Sequence, residues 1–140
     1  MGTTTYSPIQ THRELLEAAY QEIWHNGFRA ASLDSILTKT GFTKGALYHH
    51  FDTKSDLGYA VVDEIIRPQM QKKWFDPLLK SKNPTDTLMY LPRQFTQEEI
   101  EDYCTYGCPL NNLAQELSPV DEGFRIRINA IYREWIAANE

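Results

Sequence analysis

A length of 140 residues with 41% hydrophobic and 24% charged content fits one ordinary domain, or a small domain plus part of a second, and excludes wholesale disorder. The net charge of −5 argues against a non-specific nucleic-acid coat. No apolar run nears the ~20 residues of a membrane helix. The first residues lack the basic-then-apolar layout of a signal peptide, and Cys104 and Cys108 give no disulfide framework, so the expectation is a cytoplasmic protein without membrane contact.

The charge is uneven. Residues 1–56 hold five Lys/Arg against six Asp/Glu, together with all four histidines, while residues 57–140 hold nine against thirteen. Any DNA contact must therefore rest on Lys39, Lys44, Lys54 and Arg29 individually.

In chain order, residues 1–7 are expected to fray. Thr11-His-Arg-Glu14 reads as a capping box opening a first helix, with Leu15, Leu16, Ala19, Ile23 and Trp24 at helical spacing. Asn26-Gly27 stops it, and Phe28 packs beneath. Ser32 caps a second helix with Leu33, Ile36 and Leu37 as its stripe, and Gly41 ends it. Thr43 caps a third, short helix running to Phe51. Two short helices joined by so tight a glycine-containing turn form a helix-turn-helix. Thr53 and Asp56 start a fourth helix, with Leu57, Val61, Val62, Ile65 and Ile66 as a broad apolar face. Pro68 falls inside this pattern and predicts a kink, because it removes a donor and crowds the carbonyl of Glu64. The pattern resumes with Met70, Trp74, Phe75 and Leu78, and Pro77 begins its end.

Asn83-Pro84 opens a further helix that Pro92 limits. Thr96-Gln-Glu-Glu99 is another capping box, leading to Ile100, Tyr103 and Cys104. Gly107-Cys-Pro-Leu110 breaks and restarts the chain into a helix with Leu110, Leu113, Ala114 and Leu117. Ser118-Pro-Val-Asp121 caps the last helix, whose stripe is Val120, Phe124, Ile128, Ile131 and Trp135. No alternating β-branched run occurs. The fold class is all-α, with eight or nine helices.

The third helix has two faces. At about 100° per residue, Leu47 and Phe51 share one side. Gly45 and His49 lie opposite, flanked by Lys44, Ala46 and Tyr48. That outer face carries donors, one cation and small residues, which is what a helix entering a DNA groove requires.

From Leu15 to Leu57 the ordered set of Leu16-Glu17-Ala18-Ala19, Gly27-Phe28, Ser32-Leu33 with Ile36, Thr40-Gly41-Phe42, Thr43-Lys44-Gly45-Ala46-Leu47-Tyr48-His49-His50-Phe51 and Lys54 with Leu57 resembles the DNA-binding domain of TetR-type transcriptional regulators. Residues 107–118 look like a piece of the ligand domain of one branch of that family. The resemblance implies a helix-turn-helix DNA-binding domain over residues 8–54. A helical ligand-binding and dimerisation domain follows over residues 55–140, incomplete at its C-terminus because family members carry two further helices that form the dimer interface. It implies a homodimeric repressor whose two recognition helices enter successive major grooves about 34 Å apart at a palindromic operator. A small molecule in the helical domain would move the fourth helix and release the DNA.

Within that frame Lys44 reads as a base or phosphate contact, against the plain alternative of a solvated lysine. Tyr48 and His49 read as groove or phosphate contacts, and His50 as a packed boundary histidine. Neighbouring histidines diverge by about 100° on a helix, so His49 and His50 do not share a metal ion. Thr43, Lys54 and Ser32 each open a helix where a backbone phosphate could sit, with capping alone as the alternative. Gly45 and Ala46 allow close approach. In the second domain Trp74, Tyr103, Tyr106, Cys108, Phe124 and Trp135 are candidates to line a ligand pocket, although aromatics at helical spacing are more often plain core. Cys104 and Cys108 have no third ligand nearby, so no metal is expected, and no cofactor. No nucleophile elbow, phosphate loop or paired inward carboxylates occur, so no enzymatic activity is expected. The rival reading is a helix-turn-helix retained as a protein-interaction module without specific DNA binding, which the acidic second half favours.

Overall fold

The computed structural model describes residues 7–140, and among them every regular element is a helix. They divide into two compact units, one ending at Val61 and the other spanning residues 62–140.

In the first unit, α1 (Pro8–Asn26), α2 (Leu33–Thr40), α3 (Lys44–His50) and α4 (Lys54–Val61) follow one another with short connections. The start of α1 corrects the sequence expectation. Ser7, not Thr11, is its cap: the Ser7 hydroxyl accepts from the Gln10 N–H at 3.2 Å while the Gln10 side chain accepts from the Ser7 N–H at 3.1 Å. Pro8 stands at the first helical position, where its missing N–H costs nothing, so the helix begins one turn early. Thr11 lies inside that turn and its hydroxyl donates to the Ser7 carbonyl. Of the residues expected to fray, 1–6 lie outside the described ones.

Leu15, Leu16, Ala19, Tyr20 and Ile23 of α1 are buried, as are Phe28, Ile36, Leu47, Phe51, Leu57 and Val61. Leu33 and Leu37 are only half-buried, so Ile36 is the anchor of α2. The division falls at Val61 and Val62, seven residues beyond the boundary drawn from sequence, because α4 packs on α1.

The second unit opens with a π-helical turn, Val62–Ile66, followed by α5 (Arg67–Met70), a second π-helical turn, Gln71–Phe75, and α6 (Asp76–Leu79). Each π turn precedes a proline, Pro68 or Pro77. Proline cannot donate to the carbonyl four residues back, and the ladder widens just before Pro77, where the Asp76 N–H reaches the Gln71 carbonyl, five residues earlier. The disturbance expected at Pro68 takes the form of a widened turn, and a second, not foreseen, precedes Pro77, with residues 54–79 helical throughout.

Then come α7 (Pro84–Tyr90), a 3-10 turn (Leu91–Gln94), α8 (Gln97–Tyr106), α9 (Pro109–Leu117) and α10 (Glu122–Ala138). Splitting of the long helix by π turns is why there are ten α segments among the described residues where eight or nine helices were expected. The Thr96 and Glu99 capping box forms as predicted, and Asn83 and Asp121 cap α7 and α10. Phe124, Ile128 and Ile131 of α10 meet Leu110, Leu113 and Leu117 of α9 in a core that also takes Ile65, Ile66, Phe75 and Leu78. Val120, expected in that stripe, is 63% exposed, since it precedes the cap and helical periodicity does not reach it. Ile100 is also exposed. Ion pairs tie α10 to the opening of this unit: Arg127 to Asp63 at 3.1 Å, and Arg67 to Glu134, which also accepts from Gln71 at 3.2 Å.

Candidate nucleic-acid interface and internal cavity

The turn before α3 depends on Gly41, whose φ of 75° is left-handed and favours glycine. The Gly41 N–H closes α2 on the Leu37 carbonyl, and two residues later the Thr43 hydroxyl accepts from the Ala46 N–H at 3.1 Å to start α3. The geometry of α3 is thereby set by one glycine and one cap.

Leu47 and Phe51 are buried, at 2% and 5% exposure. Lys44, Gly45, Tyr48 and His49 are exposed and Ala46 is half-buried, so all five of these expected contacts belong to one solvent-facing strip. Lys44 takes part in no ion pair among the described residues. Tyr48 borders a narrow crevice with Leu33, Leu57 and Lys54, keeping its ring base packed and 43% of the residue exposed. A Cβ added at Gly45 would meet nothing nearer than the Thr43 hydroxyl at 3.9 Å. Packing within the chain therefore does not require glycine there, although glycine inside a helix costs about 1 kcal/mol against alanine.

The flanking cations are more engaged. The Lys54 ammonium donates to the Arg29 carbonyl at 3.2 Å and sits 5.1 Å from the centroid of the Phe28 ring. Lys39 pairs with Glu22 at 3.4 Å. Ser32 is exposed and caps α2 by accepting from the Ser35 N–H. His50 packs edge-on against His12 with centroids 5.5 Å apart, and His12 lies 4.9 Å from Phe51. Burial, with His12 and His49 adding, holds the His50 imidazole below its ordinary value.

Glu22 is the residue that sequence reasoning missed. Only 5% exposed, it accepts from the Ser32 N–H at 3.2 Å, the Ser35 hydroxyl at 3.1 Å and the Lys39 ammonium. One carboxylate thus pins the start of α2 to α1. Burial pushes its pKa up, but these donors outweigh that and bring it below the usual carboxylate range. A signal was available: Glu22 stands three residues after Ala19 and seven after Leu15, on the buried stripe.

The second unit contains a half-open cavity of about 350 Å³. Of the expected ligand residues, Trp74, Tyr103, Cys108 and Trp135 line it. Tyr106 is not among the lining residues, and Phe124 is wholly buried in the core instead, because its place on α10 faces α9. Ile66, Gln69, Met70, Lys73, Phe95, Pro109 and Leu110 complete the wall and were not foreseen. The spacing of Ile66, Met70, Lys73 and Trp74 on one helical face could have indicated them; Phe95, in a connection, carries no such signal. Trp74 meets Phe95 at 5.6 Å and Trp135 at 5.5 Å between centroids, while Phe95 stacks on Tyr103 at 5.7 Å. Lys73 pairs with Glu99 and lies 5.3 Å from the Phe95 centroid. Burial, with Cys108 and Glu99 adding, pushes the Tyr103 phenol up, so it stays protonated at neutral pH.

Residues 15–61, the helix-turn-helix with α4, match the family described as bacterial regulatory proteins, tetR family. The first unit is thus similar to that family. Over 129 residues it is 28% identical to an uncharacterized HTH-type transcriptional regulator of Lactococcus lactis, covering 92% of this chain and 66% of that protein. It is 24% identical over 130 residues to the HTH-type transcriptional repressor DhaR of a Mycobacterium species, covering 93% of this chain and 63% of that protein. The chain therefore spans less than two thirds of the length of these two regulators. The fold is shared with the crystal structure of a TetR regulatory protein from Rhodobacter sphaeroides, with a TM-score of 0.77 at 23% identity over 91% of this chain and 68% of that one. These relatives are transcriptional regulators of the helix-turn-helix type. Among the described residues no helix is long and apolar enough to cross a membrane.

Proposed function

We propose that this chain is a TetR-type, ligand-responsive transcriptional repressor acting in the cytoplasm. It binds a palindromic operator as a homodimer, with α3 in the major groove, and a small molecule held in the cavity of the second unit releases it. Lys44, Tyr48 and His49 contact bases or phosphates, Gly45 and Ala46 let the groove approach, and Thr43, Ser32 and Lys54 fix the backbone.

The observation that carries this reading is the outward strip of α3. It presents a lysine in no ion pair among the described residues, an exposed tyrosine and a glycine whose absent side chain no described neighbour requires. A helix that pays for glycine where nothing in the chain needs the space is suited to another molecule's surface. The cavity supports the second half of the reading, being apolar, aromatic and of the size that small ligands occupy.

The test uses duplexes recovered by selection from random sequence. Lys44→Ala should weaken binding by about 1–3 kcal/mol if it reads a base, and Tyr48→Phe by about 1 kcal/mol for the lost hydroxyl contact. Circular dichroism should be unchanged in both, since neither side chain is buried. Unchanged affinity in both variants contradicts the proposed interface, and absence of any recovered duplex favours the protein-interaction reading.

A further inference from the structure

The proposed ligand has no stated chemistry, and the cavity wall supplies one. Trp74, Phe95, Tyr103 and Trp135 form its aromatic surface, and among the lining residues that the structure describes Lys73 alone carries a charge. Resting on the reading of this cavity as an effector site, we propose that its ligand is an apolar acid: an aromatic body against the tryptophans, and a carboxylate that takes the Lys73 ammonium in competition with Glu99.

Three features favour an acid over a neutral or cationic ligand. First, an apolar pocket binds the body of a ligand by burial, but a charged head entering it must find an opposite charge. Lys73 is that charge, with its ammonium over the Phe95 ring at the wall itself. Second, exchange at Lys73 strands nothing. Glu99 is about one-third exposed and also accepts from the Thr96 N–H at 2.9 Å as half of the α8 capping box. A carboxylate with a backbone partner and access to water tolerates losing the lysine. Third, Glu99 is not itself a lining residue, so a cationic ligand would meet Lys73 before it met the carboxylate.

The exchange also gives the site a consequence inside its own unit. The Lys73–Glu99 pair links the second π turn to the start of α8. A ligand carboxylate on Lys73 unties that link, at a point where the wide turn before Pro77 has already loosened the regular hydrogen-bond ladder.

Isothermal titration of the full chain with three naphthalenes of matched shape tests this: 2-naphthoate, 2-naphthamide and 2-naphthylmethylammonium. The expected result is naphthoate binding about tenfold or more tightly than the amide, the scale of one charge-assisted hydrogen bond. Lys73→Met should abolish that preference while leaving amide binding in place. Glu99→Gln, which keeps an acceptor for the Thr96 N–H, should tighten naphthoate by removing its competitor. Equal or tighter binding of the amide or the ammonium by the wild-type chain overturns the acid assignment but keeps the cavity as a binding site. A preference that survives in Lys73→Met overturns the role of Lys73. Binding of none of the three removes the cavity reading itself and this proposal with it. Should Lys73→Met fail to fold, the wild-type series and Glu99→Gln still decide.

Discussion

Replacing Glu22 by alanine removes the one acceptor shared by the Ser32 N–H, the Ser35 hydroxyl and the Lys39 ammonium. The residue is 5% exposed, so water does not readily replace the carboxylate. Lys39 is half exposed and rehydrates, which makes its share small. The loss therefore falls on the two uncharged donors at the start of α2. Leaving each poorly satisfied costs about 1–3 kcal/mol, which puts the total at roughly 2–4 kcal/mol once partial hydration is allowed. For a chain of this size that corresponds to a fall in Tm of roughly 6–15 °C. Glu22→Gln, which keeps one carbonyl acceptor, should lose less than half as much. The pH dependence carries a second signature. Because the folded carboxyl titrates below its ordinary value, its contribution is present in full above about pH 4.3 and fades as pH falls through the depressed value. The wild type and Glu22→Gln should thus converge in acid. Thermal unfolding followed by circular dichroism measures both. A Glu22→Ala variant melting within a degree of the wild type at pH 7 would refute the claim that this carboxylate holds α2 in place.

Phe124→Ala should cost about 3–5 kcal/mol in urea unfolding, because the ring is wholly buried between α10 and α9 and leaves a cavity. It should act through the fold and not through ligand contact, so naphthoate affinity per folded molecule should change little. His50 makes stability pH-dependent in the neutral range. Its folded pKa is lowered, so the unfolded chain takes up protons first, and stability should fall as pH drops below about 6.5. A His50→Gln variant should show a shallower decline over pH 7 to 5 in the same assay.

The parts legible in the sequence were the ones written locally. Caps at Ser32, Thr43, Thr53, Asn83, Thr96 and Asp121 could be read because each side chain reaches a backbone N–H only three residues on. Gly27, Gly41 and Gly107 were legible as stops for a similar reason, and all three take positive φ. The two faces of α3 followed from helical geometry, since the helix is a short regular α segment. Arrangements joining distant residues were not legible. Glu22 meets partners 10 to 17 residues away, and a lone glutamate in a helix ordinarily reads as surface. Pro68 announced a disturbed helix but not how the backbone would resolve it, because a kink and a π turn both answer the missing donor. The cavity drew four of its eleven lining residues from those already suspected, and the other seven, Lys73 and Phe95 among them, come from stretches of chain far apart in sequence.

The central claim is that α3 reads DNA as one of a symmetric pair. Selection of bound duplexes from random sequence by the full chain, at physiological salt, tests it most directly. The account predicts recovery of a palindrome whose half-sites lie about one helical turn, or a whole multiple of it, apart. Recovery of no consensus, or of a single unpaired half-site, would contradict it.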